Sequence, residues 1–445
     1  MKFIDLLKKK SEKHPETVYI FFRDKKVTFN KFELAVLKLA SGLKSLGLEK
    51  GDRVGIILPN IPQFPISYHA VLSIGAAAIP INIMSKYPEI RYQMEDSEAR
   101  AVIFWEGFIH EVLKGVEGLD TCEILISLGK RKYSGIHNFS RIIENSPPFP
   151  NMIEVSENDT AVIIYTAGTT GNPRGAELSF RNIYSNAKAC SKLLPLTEMD
   201  IILGVIPLFH SFGLTAVMNL ALITGSSIAL LPRFDIEEVL SAISRYRITV
   251  FIGVPSMYAQ ILEYEGAEGF PLSSVKYWIA GGAPFPVEVM EEFEKKFSAV
   301  ILEGYGLSEA SPVVSFNRNY ARRKVGSVGL PLDNISMKIV DDSGKELPVG
   351  QVGEIVVKGP NVMKGYLNRP EATSRTIKEG WLRTGDLAYM DEDGYYFIVD
   401  RKTDMIVKSG FNIYPKEVEN ILNNYPKIAE SAVIGIPSRT YGEEV

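Results

Sequence analysis

Cysteine and histidine are scarce: Cys122 and Cys190 are the 2 cysteines in 445 residues, alongside 5 histidines. With no Cys-x-x-Cys pair, a disulfide framework, an iron–sulfur cluster and a cysteine-based zinc site are excluded, and a reducing, cytoplasmic setting fits. Charge of one sign is also lacking. The 49 Lys and Arg against 53 Asp and Glu give a net charge of -4, which provides no field for gripping nucleic acid. No Gly-x-Gly-x-x-Gly occurs, which disfavours an NAD enzyme. Met1 to Glu16 is broken by acids and lysines where an export signal needs an apolar core. Lys8, Lys9 and Lys10 lead a basic N-terminal stretch that suits a solvated helix face and leaves weak peripheral contact with an anionic membrane open.

Asp, Glu, Lys and Arg are absent from Val54–Ser85 and from Ile201–Pro232, runs long enough to demand a check for membrane spans. Pro59, Pro62, Pro65 and Pro80 cut the first run into pieces too short to cross a bilayer. In the second, His210, Ser211, Asn219 and the Gly225-Ser226-Ser227 break read as a buried helix followed by a strand at Ile228–Leu231. Both runs fit the interior of a large sheet.

With 46% hydrophobic and 23% charged residues, the chain has the composition of a folded globular protein of several structural units. Asn30 to Glu33 has capping-box spacing, and Phe32, Ala35, Val36, Leu39, Leu43 and Leu46 share a helical face that ends at Gly47. Strands at Arg53–Leu58, Ala101–Phe104, Val162–Thr166, Ile201–Val205, Val250–Ile252, Tyr277–Ile279 and Val300–Leu302 alternate with helical patterns such as Asp235–Tyr246. The expected class is α/β: doubly wound sheets in a large N-terminal domain, residues 1–400, with α/β subdomains at about 1–150 and 151–324. A β-rich subdomain follows at about 325–400, from the short strands Ile335–Asp341, Gly353–Lys358 and Tyr395–Val399. Residues 401–445 form part of a small α+β C-terminal lid, with a helix at Pro415–Asn423 and a strand at Ser431–Gly435.

Chemistry concentrates in a few segments. Between a predicted strand and a predicted helix lies Tyr165-Thr166-Ala167-Gly168-Thr169-Thr170-Gly171-Asn172-Pro173-Arg174-Gly175. Its glycines expose backbone N–H groups, and its hydroxyls and Arg174 can hold phosphate oxygens. It is no Walker loop, because the terminal Gly-Lys-Ser/Thr is missing. Gly304-Tyr305-Gly306-Leu307-Ser308-Glu309 follows a strand end, where open α/β sheets bind ligands. Tyr305 offers a stacking face and Glu309 a hard oxygen ligand for Mg2+. A plain turn with a solvated glutamate is the bland alternative. A serine hydrolase needs its histidine after the serine, whereas His14, His69, His110, His137 and His210 all precede Ser308.

These segments, with Pro207-Leu208-Phe209-His210, Ala280-Gly281-Gly282-Ala283-Pro284, Trp381-Leu382-Arg383-Thr384-Gly385-Asp386 and Asp400-Arg401-Lys402 through Gly410 and Pro415, resemble the AMP-forming adenylate synthetases, the superfamily of acyl-CoA synthetases, peptide-synthetase adenylation domains and luciferases. The resemblance runs from about Lys26 to the last residue. It implies a ligase that activates a carboxylate with ATP and Mg2+ to an acyl-adenylate and pyrophosphate, then passes the acyl group to the thiol of CoA and releases AMP. By the same resemblance, Thr166, Thr169, Thr170 and Arg174 hold the β- and γ-phosphates, with Gly168 and Gly171 in their loop. Glu309 binds magnesium and Ser308 lies near the α-phosphate. Gly281 and Gly282 let adenine approach the backbone and Tyr305 packs on its face, with Ala283 and Gly306 in the same nucleotide site, while Asp386 and, from the far side, Arg401 meet the ribose. Phe209, His210 and Phe212 border the acyl pocket. His210 has a gating or packing role, because the carboxylate nucleophile is already ionised and needs no base. Thr403 occupies the hinge and Gly410 is a CoA-side candidate.

The sequence departs from the family pattern at Ala167, usually serine, at Arg174, usually lysine, and at Ser308, usually threonine. Thr403 stands where the hinge has Asp or Lys, and the family continues beyond Val445 to a Gly-Lys segment with the adenylation lysine. The apolar residues after Phe212 favour a fatty acid, and no acidic residue between Leu208 and Leu231 offers itself to a substrate ammonium. Activation of an aryl or amino acid, and a non-catalytic nucleotide or acyl binder, are the alternatives. Fatty acid, ATP and CoA are thus the expected partners, and a homodimer is left open.

Overall fold

The computed structural model describes residues 3–150, 153–166, 172–318, 322–408, 411–423, 425, 427–428, 431–438 and 442–445. Its apolar runs become strands covered on both faces. Val54–Ile57, Ala77–Pro80, Ser227–Leu230 and Val250–Gly253 are buried at every position, the continuous pattern of parallel strands flanked by helices.

Nine strands form one sheet. Val18–Phe22, Ser227–Leu230, Ile201–Gly204, Val250–Gly253, Tyr277–Ala280 and Ile301–Gly306 run parallel, and Lys25–Thr28 and Val313–Phe316 extend the sheet antiparallel at its two sides. An 8-stranded sheet places Thr160–Thr166, Ala77–Pro80, Arg53–Ile57, Ala101–Trp105 and Ile124–Leu128 side by side and parallel. The two sheets exchange strands across the expected boundary near residue 150. Val18–Phe22 joins the sheet built mainly from later residues, and Thr160–Thr166 joins the one built mainly from earlier residues. A 5-stranded antiparallel sheet follows, made of Ser336–Val340, Gly353–Lys358, Ile377–Lys378, Trp381–Met390 and Tyr396–Arg401. The last unit carries the helix Pro415–Asn423 and a small 4-stranded sheet.

Neither charge-free run forms a membrane span: among the described residues no helix is long and apolar enough to cross one. The first run is strand, the helix Gln63–Ser73, buried from Phe64 onward, and strand. The second contains a seven-residue π-helical stretch, Gly213–Asn219, continued by the α-helix Leu220–Thr224. Such wide turns are uncommon and concentrate at functional sites.

Three local expectations require correction. The Thr-rich segment is followed by a strand, Arg174–Ser179, antiparallel to Thr160–Thr166, and not by a helix. A parallel return needs a crossover of a dozen or more residues, and positions 167–173 are too few, so the chain turns back as a hairpin. Among the described residues no helix N-terminus stands there to attract phosphate. The helix expected after Asn30 is Phe29–Ser45, capped by Thr28, whose hydroxyl accepts from the Lys31 N–H at 3.4 Å. Phe29 is buried and draws the start of the helix forward. In the last unit the strand lies at Ile436–Ser438 rather than Ser431–Gly435. The Val433 N–H bonds to the Glu419 carboxylate at 3.1 Å instead of a neighbouring strand.

Candidate active site

A cavity of about 2230 Å³ opens where the C-terminal ends of the parallel strands meet the antiparallel sheet and the last unit. Thr166, Arg174, Phe209, His210, Phe212, Gly281, Gly282, Ala283, Tyr305, Gly306, Ser308, Glu309, Asp386, Arg401 and Thr403 all line it. Residues more than two hundred positions apart in sequence thus share one wall. Gly168, Thr169, Thr170, Gly171 and Gly410 lie outside the described residues.

At one end, Glu309 is held in place by two donors. The Thr166 hydroxyl reaches Oε1 at 3.1 Å and the Tyr366 hydroxyl reaches the same oxygen at 2.9 Å. The Arg174 guanidinium lies over the Tyr366 ring, 5.5 Å from its centre, so one tyrosine orients the carboxylate and supports the cation. Burial, and then the Glu309 charge, push the Tyr366 phenol well above its usual range, which keeps it a donor. Ser308 Oγ lies 3.0 Å from Ser211 Oγ, a pairing that gives the serine no histidine base. Gly306 is required by close approach: a Cβ there would fall 2.2 Å from the Pro312 carbonyl oxygen.

At the other end, the Tyr305 hydroxyl donates to Asp386 Oδ2 at 2.5 Å. Asp386 and Arg401 are cross-strand partners, and the Arg401 Nε is 3.6 Å from Asp386 Oδ1. Arg401 therefore stands beside Asp386 on the neighbouring strand, not across a ribose-sized gap from it. Burial raises the Asp386 pKa, opposed by the Tyr305 hydrogen bond and by Arg401. Thr384 accepts from the Asp386 N–H at 3.1 Å and donates to the Ile355 carbonyl at 2.9 Å, fixing the turn at Gly385. Gly282 has φ +83°, open only to glycine without strain, and lies beside Phe212.

Phe209, His210 and Phe212 sit on the turn before the π-helical stretch. His210 is exposed at the cavity, and partial desolvation by the surrounding wall lowers its pKa. Its Nδ1 accepts from the Phe212 N–H at 3.2 Å, as a neutral imidazole can. Beyond Phe212 the cavity continues as an apolar arm lined by Cys190, Leu193, Leu194, Ala216, Leu220 and Phe316. Glu303 is buried at the cavity wall, and burial pushes its carboxyl up to about 8 despite Arg323 nearby.

The sequence reading missed the polar groups that hold these loops. Asn60 donates to the Gly204 and Ile206 carbonyls at 3.0 and 2.9 Å and accepts from the Leu208 N–H at 2.9 Å, tying the two large sheets together just before His210. Asn186 pairs with both backbone groups of Val313, and Asn361 donates to the Ala310 carbonyl at 2.8 Å. Tyr366 was missed as well. The only signal each offered was a polar residue within or beside an apolar stretch.

Comparison with known proteins agrees with this geometry. The family model described as "AMP-binding enzyme" matches residues 7–367. A long-chain-fatty-acid–CoA ligase of Bacillus subtilis is 37% identical, the match covering 99% of this chain and 84% of that protein. A feruloyl-CoA synthase of an Amycolatopsis species is 35% identical over 94% of this chain and 82% of its own length. Among solved structures, the anthranilate CoA ligase AuaEII in complex with anthranoyl-AMP superposes with a TM-score of 0.93 at 27% identity, covering 98% of this chain and 85% of that one. ATP-bound MatB from Rhodopseudomonas palustris gives 0.90 at 30% identity, covering 100% and 87%. The chain belongs to the family of AMP-binding enzymes, and its fold is that of the adenylate-forming ligases.

Proposed function

We propose that this protein joins a long-chain fatty acid to CoA at the expense of ATP. The observation that carries the reading is the shape of one cavity, polar at Asp386, Arg401, Ser308 and Glu309 and apolar at Cys190, Leu193, Ala216 and Leu220. The similarity to long-chain-fatty-acid–CoA ligases supports it.

In the first step a carboxylate oxygen of the acid attacks the α-phosphorus of ATP. The bond to the bridging oxygen breaks, and pyrophosphate leaves with the electron pair. In the second, the sulfur of CoA attacks the acyl carbonyl carbon and AMP departs. Phosphoryl chemistry of this kind needs positioning and charge stabilisation more than covalent help. Asp386 holds the ribose hydroxyls, Tyr305 and Gly281–Ala283 hold adenine, and Arg174, Thr166, Thr169 and Thr170 hold the terminal phosphates. Ser308 sits toward the α-phosphate, and His210 with Phe209 and Phe212 borders the entrance to the acyl arm.

Among the described residues no group of three or more His, Cys, Asp or Glu could hold a metal. A single carboxylate with substrate phosphates is the usual arrangement for Mg2+, so the donor set fits, with Glu309 as the protein ligand. Bound there, the ion offsets charge on the departing phosphates. Residues 401–445 act as the lid, with Thr403 at its hinge and Gly410 toward CoA. Two free buried thiols and the substrates ATP and CoA support a cytoplasmic setting.

Incubation with ATP, Mg2+, CoA and a panel of acids tests this, with products read by mass spectrometry. Acyl-CoA and AMP are expected with long-chain fatty acids. Preferential turnover of ferulate or anthranilate would overturn the substrate assignment.

A further inference from the structure

The distal end of the 8-stranded sheet carries a surface the reaction does not use. Trp105 ends the strand Ala101–Trp105 and is 43% exposed, with its ring 5.4 Å from that of Phe108. Tyr87, Leu113 and Met84 are exposed on the adjoining segments. Lys114 lies over the Tyr87 ring at 3.8 Å. The next strand, Ile124–Leu128, delivers the exposed basic turn Lys130, Arg131 and Lys132, tethered to this corner by the Arg131 N–H, 3.3 Å from Glu106 Oε2. The acids of the patch are occupied locally. Glu106 takes that N–H, Glu111 accepts from the Tyr87 N–H at 2.8 Å, and Glu89 accepts from the Lys86 N–H at 2.5 Å. Lys86 is paired with Glu111 at 3.9 Å, and Lys114, Lys130, Arg131 and Lys132 outnumber the remaining Glu89 and Glu106.

We infer that this corner docks on an anionic lipid bilayer, with Trp105, Phe108 and Tyr87 seated among the headgroups and the basic turn against lipid phosphates. Tryptophan and tyrosine are suited to the membrane–water boundary, and Lys and Arg close to an anionic leaflet are drawn to its surface charge. Topology gives the site its sense. Ala101–Trp105, Ile124–Leu128, Ala77–Pro80 and Thr160–Thr166 run parallel, so Trp105 and the basic turn leave the sheet on the same edge as Pro80, Asn82 and Thr166, which line the cavity. Two strand spacings, about 10 Å, separate the Trp105 strand from the Pro80 strand. Docking there brings the cavity edge toward the phase in which fatty acids dissolve. Only this purpose, and not the surface, rests on the fatty-acid reading.

The test is flotation of the full chain with vesicles of phosphatidylcholine alone or mixed with phosphatidylglycerol. Binding to the mixed vesicles, lost in 0.5 M salt, is expected, with a blue shift of emission that disappears in Trp105→Phe. The triple substitution K130S/R131S/K132S is expected to lower partitioning roughly tenfold or more. The double substitution K8S/K9S is expected to leave it within twofold. Absence of wild-type binding, an unchanged triple variant, or an equal loss in K8S/K9S would overturn the inference. Turnover of octanoate, which is soluble without membranes, is expected to be equal in wild type and triple variant. Vesicle binding without any fatty-acid turnover would refute the substrate reading and leave the surface standing.

Discussion

At the scale of single residues, Glu303 shows how burial sets chemistry. Its carboxyl rises from 4.5 to about 8, so the folded state holds a proton that the unfolded chain releases. Its stabilising proton is fully bound in both states below the unfolded pKa, and the associated stability is lost as pH rises through about 8. Glu303→Gln keeps the shape and removes the titration. The melting temperature of the variant relative to wild type is therefore expected to increase between pH 5 and 9, and a constant difference in a thermal scan would contradict it. Tyr366 gives a second case. Tyr366→Phe keeps the ring beneath Arg174 but removes a bond to the Glu309 carboxylate, worth about 1–2 kcal/mol at a half-buried position. A several-fold rise in the Mg2+ concentration for half-maximal activity, with little change at saturation, is the expected kinetic result. Asp386 and Glu309 were legible in the sequence because they sit inside dense motifs. Asn60, Asn361 and Tyr366 were not, because hydrogen bonds between residues 50 or more apart leave no local pattern.

At the scale of elements, the antiparallel pair Trp381–Met390 and Tyr396–Arg401 sets Asp386 against Arg401. Asp386→Ala is expected to weaken AMP binding by ~1.5–3 kcal/mol in titration calorimetry, the range for a hydrogen bond involving a charged group. Unchanged affinity would place the ribose elsewhere. The π-helical stretch carries Ala216 into the apolar arm. Ala216→Trp is expected to shift turnover from long-chain to shorter acids without affecting AMP binding, as read from an acid panel. Parallel strands and the amphipathic helix Ile236–Tyr246 were legible because continuous or periodic burial determines them. The hairpin at Arg174 was misread because a Gly- and Thr-rich turn says nothing about the direction in which the chain returns.

At the scale of the whole molecule, the α/β class and the order of sheets followed from texture along the chain. The exchange of strands between the two large sheets did not, since pairing of Val18–Phe22 with Ser227–Leu230 spans more than two hundred residues. The central claim is that one cavity holds a nucleotide at Asp386 and an acyl tail beside Ala216 at the same time. A fatty-acyl adenosine sulfamate joins those two parts as the acyl-adenylate does. Titration calorimetry should show it binding the wild-type chain roughly 100-fold or more tighter than AMP, since the second contact becomes intramolecular. Ala216→Trp should weaken the sulfamate and spare AMP, while Asp386→Ala should weaken both. Equal affinities of sulfamate and AMP for the wild-type chain would contradict the account.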